Sequence, residues 1–130
     1  MTHKASCSCG QLNLETKEQP LRVSVCHCYA CQKRTGSAFG VQARFEKNML
    51  TISGNSKRYE RIADTGNKAI FHFCPDCGST LYYILEAIPD MVGVPIGGFS
   101  DPSFMPPSIS IYEDRQHSWL SIAGDIEHIA

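Results

Sequence analysis

Seven cysteines in three tight clusters constrain this 130-residue chain more than any other feature. They occur as "CSC" at 7–9, "CHCYAC" at 26–31 and "CPDC" at 74–77. Cysteines this close together form disulfide frameworks in small secreted domains, whereas in a reducing compartment they are metal ligands or redox groups. Because an odd number of thiols divides poorly into disulfides, the pattern favours metal sites.

The remaining sequence indicates a cytoplasmic protein of ordinary composition. The N-terminus "MTHKASCSCG" lacks the apolar run of a secretory signal, and no segment is long and apolar enough to span a bilayer. Hydrophobic residues make up 42% of the chain and charged residues 19%, which is typical of a folded protein with its own core. The net charge of −1 offers no basic excess, so we expect neither nucleic acid nor a membrane as a partner.

Short β-rich runs separated by turn signals dominate the chain, and no window shows the sustained apolar period of a long helix. We expect strands at 12–16, 21–25, 37–46, 49–53, 57–62, 68–73, 80–88, 91–99 and 108–113. Gly54, Asn55 and Ser56 resemble a hairpin turn, and one helical turn is expected after Cys28. Trp119 is expected to pack a terminal strand against the sheets. The sequence therefore predicts a mainly β protein with very little helix, forming a single domain over 1–130.

The first and third clusters have the spacing of a closed four-sulfur site. In "CPDCG" both sulfurs converge on one side of a tight turn, and Gly78 permits the positive φ that commonly follows such a turn. A redox pair is the alternative, but the βαβ context of a thioredoxin-like motif is missing. Cys7 and Cys9 precede Gly10 in a related way and would complete a site with Cys74 and Cys77. Four thiolates close the coordination sphere of Zn²⁺, so this site would hold distant segments together without performing chemistry.

The middle cluster offers three ligands without an obvious fourth. Cys26, Cys28 and Cys31 match the three-ligand plan of catalytic zinc sites, which keep one position open. Zinc with three thiolates carries a net charge of −1, so it is better suited to holding an incoming thiol as a nucleophile than to acting as a Lewis acid. The alternative is a second structural zinc with His27 or His72 as the fourth ligand, and a single ion shared among the clusters also stays open.

Several segments together resemble the glutathione-dependent formaldehyde-activating (GFA) family, which includes centromere protein V-like domains. The segments are "CSCG", "CHCYACQKRTGSAF", "ISGNSKRYE", "FCPDCGSTLYY" and "GGFSDPSFMPPSISIY". The resemblance covers nearly the whole chain, and the order and spacing of all seven cysteines make it specific. It implies a mainly β fold of several small coiled antiparallel sheets held together by two zinc ions.

The resemblance also implies how the ligands divide. The structural zinc would be held by Cys7, Cys9, Cys74 and Cys77, and the catalytic zinc by Cys26, Cys28 and Cys31, where fewer anchors allow the ion to exchange. The implied activity is that of a carbon–sulfur lyase, in which glutathione binds at the second zinc and adds to formaldehyde to give S-(hydroxymethyl)glutathione. Many relatives carry a histidine near the position of Ser110, so this chain departs from the pattern there.

Residues after the third ligand are candidates for substrate binding. Glutathione carries two carboxylates, which suit the cation and backbone N–H groups of Arg34, Thr35 and Gly36. A solvated surface loop is the alternative for this segment. Two other functions stay open for the whole chain. One is a zinc-stapled β module that binds a partner without catalysis, and the other is a thiol redox protein, since a four-cysteine zinc also occurs in methionine sulfoxide reductases of the B group.

Overall fold

The structure is a computed structural model that describes residues 2–130, and it is mainly β with one α-helix. The strands are β1 (His3–Ser6), β2 (Asn13–Thr16), β3 (Arg22–Cys26), β4 (Gly40–Glu46), β5 (Thr51–Ser53), β6 (Lys57–Ile62), β7 (Lys68–Phe73), β8 (Thr80–Leu85), β9 (Met91–Pro95), β10 (Ile109–Ile111) and β11 (Glu127–His128). The helix α1 spans Tyr29–Thr35, and short 3₁₀ turns occupy Lys47–Met49, Ile96–Phe99 and Glu113–Arg115. The mainly β prediction is confirmed.

The strands form two sheets. A three-stranded antiparallel sheet has the order β1-β2-β5, and an eight-stranded sheet has the order β11-β10-β3-β4-β9-β8-β7-β6. Strand β10 runs parallel to both β3 and β11, and the other adjacent strands pair antiparallel. The parallel pairs were not anticipated, because β10 reaches β3 through the long Pro-rich segment after residue 99 rather than through a turn.

Alternation along β3 and β4 separates an apolar face of the large sheet from a polar one. Val23, Ala43 and Phe45 are fully buried and belong to the core between the sheets, together with Leu12 and Leu14 of the small sheet. Side chains alternate between faces along a strand, so the intervening residues share the opposite face. This second surface, which we call the polar face, carries Arg22, Ser24 and Cys26 of β3 and Gly40, Gln42 and Arg44 of β4.

The hairpin expected at Gly54–Ser56 is wrong. Strand β5 pairs with β2 in the small sheet, whereas β6 pairs with β7 in the large one. Gly54 has a φ of +98°, and a Cβ there would lie 1.9 Å from the backbone oxygen of Gln11. The segment is therefore a corner that presses against the first cysteine turn and carries the chain from one sheet to the other.

Two further expectations differ from the structure. Trp119 does not pack a strand against the sheets, because 71% of it is exposed, and its ring lies edge-on to that of His117. The single helical turn after Cys28 is instead a seven-residue helix, which ends at Gly36 with a φ of +68°. The helix is short enough to lack the apolar period on which the sequence-based prediction depended. Among residues 2–130, no helix has the length and apolarity that crossing a membrane would require.

Candidate metal centres and the adjoining cleft

All seven cysteines are free thiols, and they meet in two clusters. The quartet comprises Cys7, Cys9, Cys74 and Cys77, and the trio comprises Cys26, Cys28 and Cys31. Within each cluster the sulfur atoms all lie within 4.8 Å of one another. Both clusters could therefore bind a metal ion.

Two matching turns build the quartet. Gly10 donates its N–H to the carbonyl of Cys7 at 3.1 Å, and Gly78 donates to that of Cys74 at 2.8 Å. Both glycines have positive φ, at +85° and +82°, which lets each turn close with its sulfurs on one side. Ser8 and Ser79 join the turns through a hydroxyl–hydroxyl contact of 2.9 Å.

The sulfur spacing of the quartet fits a tetrahedral ion. Cys9 Sγ lies 3.6 Å from the sulfurs of both Cys7 and Cys74. A tetrahedron with metal–sulfur bonds of about 2.3 Å has edges of about 3.8 Å. Gln11 Nε2 donates to Cys74 Sγ at 3.0 Å and to the backbone oxygen of Asn55 at 2.6 Å. Gln11 Oε1 in turn accepts the backbone N–H of Asn55 at 3.0 Å. Hydrogen bonds from Ser79 lower the pKa of Cys77 to about 5, which favours the thiolate that a metal needs.

The trio lies where β3 ends and α1 begins. Cys26 is the last residue of β3, Cys28 caps α1, and Cys31 lies in the first turn of the helix. Cys28 Sγ accepts the N–H of Cys31 at 3.3 Å. Hydrogen bonds with Cys28 and Cys31 raise the pKa of Cys26, whereas hydrogen bonds from its two neighbours lower the pKa of Cys28. Crowding thus favours one thiolate at Cys28 and keeps protons on Cys26 and Cys31, and a bound cation would favour ionisation of all three sulfurs.

Neither candidate histidine joins the trio. His27 is fully buried, and its Nε2 lies 2.9 Å from the hydroxyl of Ser110, which is itself fully buried. His72 stacks on Tyr82 and bonds the hydroxyl of Ser56 through Nδ1 at 3.0 Å. Among residues 2–130, the trio contains three potential ligands and no histidine or carboxylate as a fourth. The hydroxyl of Ser110 contacts His27, and Ser110 is not among the residues of the trio.

A cleft of about 450 Å³ opens beside the trio, between α1 and the β6–β7 end of the large sheet. Its lining consists of Ala30, Lys33, Arg34, Tyr59, Arg61, Phe71, Phe73 and Thr80. Three of these residues are cationic and the walls are aromatic. The guanidinium of Arg34 lies over the ring of Phe71 at 5.5 Å and that of Tyr83 at 5.9 Å, and Arg61 lies over Phe71 at 5.6 Å.

The cationic cleft and the sulfur trio are electrostatically connected. The charge of Arg61 adds to the hydrogen bonds from Cys26 and Cys31 that lower the pKa of Cys28. At Gly40, a Cβ would lie 3.3 Å from Arg34 Nη2 and 3.4 Å from the Cβ of Cys31, so these two side chains meet over a bare backbone position. An anionic molecule in the cleft would therefore lie beside the sulfurs.

Of the three predicted substrate-binding residues, only Arg34 lines the cleft. Thr35 turns its hydroxyl back to the carbonyl of Cys31 at 2.8 Å, and Gly36 ends the helix. Sequence reasoning missed Arg61 and Phe71 as cleft residues. Strands β6 and β7 are far from α1 along the chain, and no sequence pattern indicates that these strands and the helix lie side by side. The alternation of Lys57, Tyr59 and Arg61 was the only available signal.

Comparisons with known proteins identify the family and the fold. The family model described as "Glutathione-dependent formaldehyde-activating enzyme" matches residues 2–115. A crystal structure of a Rhodobacter sphaeroides protein is similar in fold, with a TM-score of 0.58 and 21% sequence identity over 79% of this chain and 91% of that one. A search of curated proteins gave no significant match.

Proposed function

This chain belongs to the glutathione-dependent formaldehyde-activating enzyme family, and on that basis we propose that it is a zinc-dependent carbon–sulfur lyase acting on a thiol. One observation carries the proposal. Three cysteine sulfurs converge beside a cationic cleft, and among the described residues no histidine, carboxylate or further cysteine completes the set. A site built from three protein ligands and one open position is the arrangement of catalytic rather than structural zinc.

We assign two zinc ions to the chain. All-sulfur ligand sets select zinc or iron–sulfur clusters, and the tetrahedral spacing of the quartet fits the first. The quartet joins the β1–β2 turn to the β7–β8 turn and is structural. The trio leaves one position for the substrate, and its zinc would supply the positive charge that keeps a substrate thiol ionised near neutral pH.

The charge of the cleft favours an anionic thiol as substrate. Lys33, Arg34 and Arg61 present three cations to a molecule whose sulfur reaches the trio. Glutathione carries two carboxylates and fits this charge, whereas a neutral thiol gains nothing from it. Phe71 is 9% exposed, and its ring lies beneath the guanidinium groups of Arg34 and Arg61. The ring would exclude water from the ion pairs that these groups form with the substrate carboxylates and would thereby strengthen those pairs.

The reaction needs neither oxidant nor reductant. The thiol proton passes to solvent, and the sulfur lone pair forms a new carbon–sulfur bond with formaldehyde. The electrons of the carbonyl π bond move to oxygen, which takes a proton from water, and the product is S-(hydroxymethyl)glutathione. The chain's own contribution is to hold the carboxylate with Arg34 and Arg61 while the sulfur lies at the trio.

Exchange spectroscopy tests this proposal directly. NMR of glutathione with formaldehyde reports the rate of adduct formation, and we expect the zinc-loaded protein to increase it. Cys28→Ala should abolish the increase without unfolding the domain, because Cys28 is partly exposed and outside the core. Equal exchange rates with and without the protein would remove the formaldehyde reaction and favour a zinc-bound β module without catalysis.

A matched pair of arginines provides the control. Arg61 lines the cleft, whereas Arg58 lies on the same strand at a position of opposite parity, opposite His72. Arg61→Gln should weaken glutathione binding about tenfold, the typical value of a charged hydrogen bond, and Arg58→Gln should leave it unchanged. Equal losses in both variants would show that net charge, rather than the cleft, attracts the substrate.

A further inference from the structure

Two arginines face each other on the polar face, in a row of paired residues that leads across the sheet toward the cleft. Arg22 of β3 lies directly opposite Arg44 of β4, and the same row continues through Gly93 of β9 to Tyr83 of β8. Like charges directly opposite in an antiparallel pair destabilise a sheet unless something compensates them. Among residues 2–130, neither arginine has an aspartate or glutamate within 4.0 Å.

The surroundings of the pair contain unsatisfied polar groups. Arg22 Nε is buried without a hydrogen-bond partner in the structure. Gln42 is only 7% exposed, and its Oε1, also without a partner, lies toward Gly40 on the side of the trio, 2.9 Å from where a Cβ of Gly40 would be. Because the two ends of an amide exchange by a simple flip, Gln42 can present either its oxygen or its NH₂ group. Buried polar atoms left without partners in a native structure commonly indicate an absent ligand, ion or water.

A small cavity of about 30 Å³ lies at this place. Its polar lining comes from Ser24, Gln42, Arg44 and Tyr83, and apolar side chains such as Leu85, Ile88 and Met91 complete it. Arg22 does not line the cavity but lies next to it, opposite Arg44. The bare Cα of Gly93 leaves room for the ring of Tyr83, which forms one wall of the cavity, since a Cβ there would lie 2.3 Å from Cζ of Tyr83. A space of this size holds one or two water-sized groups. It can accept the end of a carboxylate but not a whole metabolite.

Electrostatics favours an anion here. Burial lowers the pKa of Arg44, and the neighbouring charge of Arg22 lowers it further. Both effects mean that the folded chain holds these cations at a cost, which a bound anion would offset. Two guanidinium groups also provide the planar forks that match carboxylate geometry.

We propose that Arg22 and Arg44, with Ser24, Gln42 and Tyr83, form a carboxylate-binding site. The carboxylate belongs either to the thiol substrate or to a free small acid. The first source rests on the proposed function and agrees with the geometry, because Cys26 lies four residues from Arg22 on the same strand and the same face. That separation is about 13 Å along a strand, and an extended tripeptide spans about 10 Å, so the arginine side chains can cover the difference.

Titration of the full-length, ¹⁵N-labelled protein with sodium formate at constant ionic strength tests the site itself. Signals from the Nε–Hε groups of Arg22 and Arg44 should shift saturably, and the signal of Arg58 should not. Arg44→Gln should abolish the shift at Arg22. The measurement involves neither turnover nor the trio, so a failed exchange assay would leave its result intact. Absence of a saturable shift at Arg22 and Arg44 in the unaltered protein would overturn the proposal.

A comparison of glutathione with its diethyl ester identifies the source of the carboxylate. If the substrate supplies it, the unaltered protein should prefer the acid, and Arg44→Gln should reduce that preference about tenfold. Arg22→Gln should do the same, which guards against a folding defect particular to one variant. A preference unchanged in both variants, together with saturable formate shifts, would assign the site to a free acid and refute its role in substrate binding.

Discussion

Replacing Cys74 with serine should destabilise the whole fold. Cys74 has no exposed surface, belongs to the core cluster, and its sulfur accepts the amide of Gln11 at 3.0 Å. It also links segments far apart in sequence, because its sulfur lies 3.6 Å from that of Cys9. Serine keeps the size and the hydrogen-bonding capacity of the side chain but is a poor zinc ligand. The change therefore isolates the metal bond.

The size of the effect follows from the closed ligand set. A structural zinc contributes on the order of 10 kcal/mol to the folding of a small domain, and an even division among four ligands gives about 2.5 kcal/mol each. A domain of this size has a total stability of about 5–15 kcal/mol, and each kcal/mol lost lowers its melting temperature by about 3–4 °C. We expect Cys74→Ser to lower the melting temperature by about 10 °C, and by much more if the ion leaves.

Cys28→Ser is the matched control for this experiment. Cys28 caps α1 through its sulfur, and a serine hydroxyl caps a helix equally well. Thermal unfolding followed by circular dichroism should therefore show a much smaller change for this variant. Metal analysis of the purified proteins should find two zinc ions per unaltered chain and one in Cys28→Ser. A melting temperature that falls equally in both variants would refute the division into a structural quartet and an open trio.

Two other predictions concern the corner at Gly54 and the carboxyl group of Glu113. Gly54→Ala should cost at least about 2 kcal/mol, because it adds a clash with Gln11 to a strained φ, whereas Gly66→Ala has a similar φ but open space and should cost about 1 kcal/mol. Urea unfolding compares the two, and equal losses would contradict the close approach. A hydrogen bond with His128 at 2.7 Å lowers the pKa of Glu113 below its usual value of 4.5. The stability that this lowered pKa contributes is complete above pH 4.5 and is lost as the pH falls through the pKa of Glu113 in the folded protein. The stability difference between the unaltered protein and His128→Ala should therefore shrink on acidification. A difference that does not change with pH would contradict this.

Features that depend on neighbours along the chain were predictable. Strands β6 and β7 occupy the expected residues 57–62 and 68–73, since each run is bounded by turn residues. The pairing of Cys7 and Cys9 with Cys74 and Cys77 was also anticipated, because each pair has the spacing of a tight turn and leaves two ligand positions to be filled. The structure brings those four sulfurs together.

Features that depend on segments far apart in sequence were decided by the tertiary structure. The sequence could not show that β5 leaves β6 for the small sheet, that Trp119 stays exposed, or that Arg61 meets α1 beside the trio. Nor could it place Arg22 opposite Arg44, since register depends on which face of the whole sheet is buried. The sequence thus indicated the two candidate metal sites, through cysteine spacing that sets turn geometry over a few residues and through a family resemblance that implied the same division of ligands. The surroundings of those sites depend on the packing of distant strands, which no local pattern encodes.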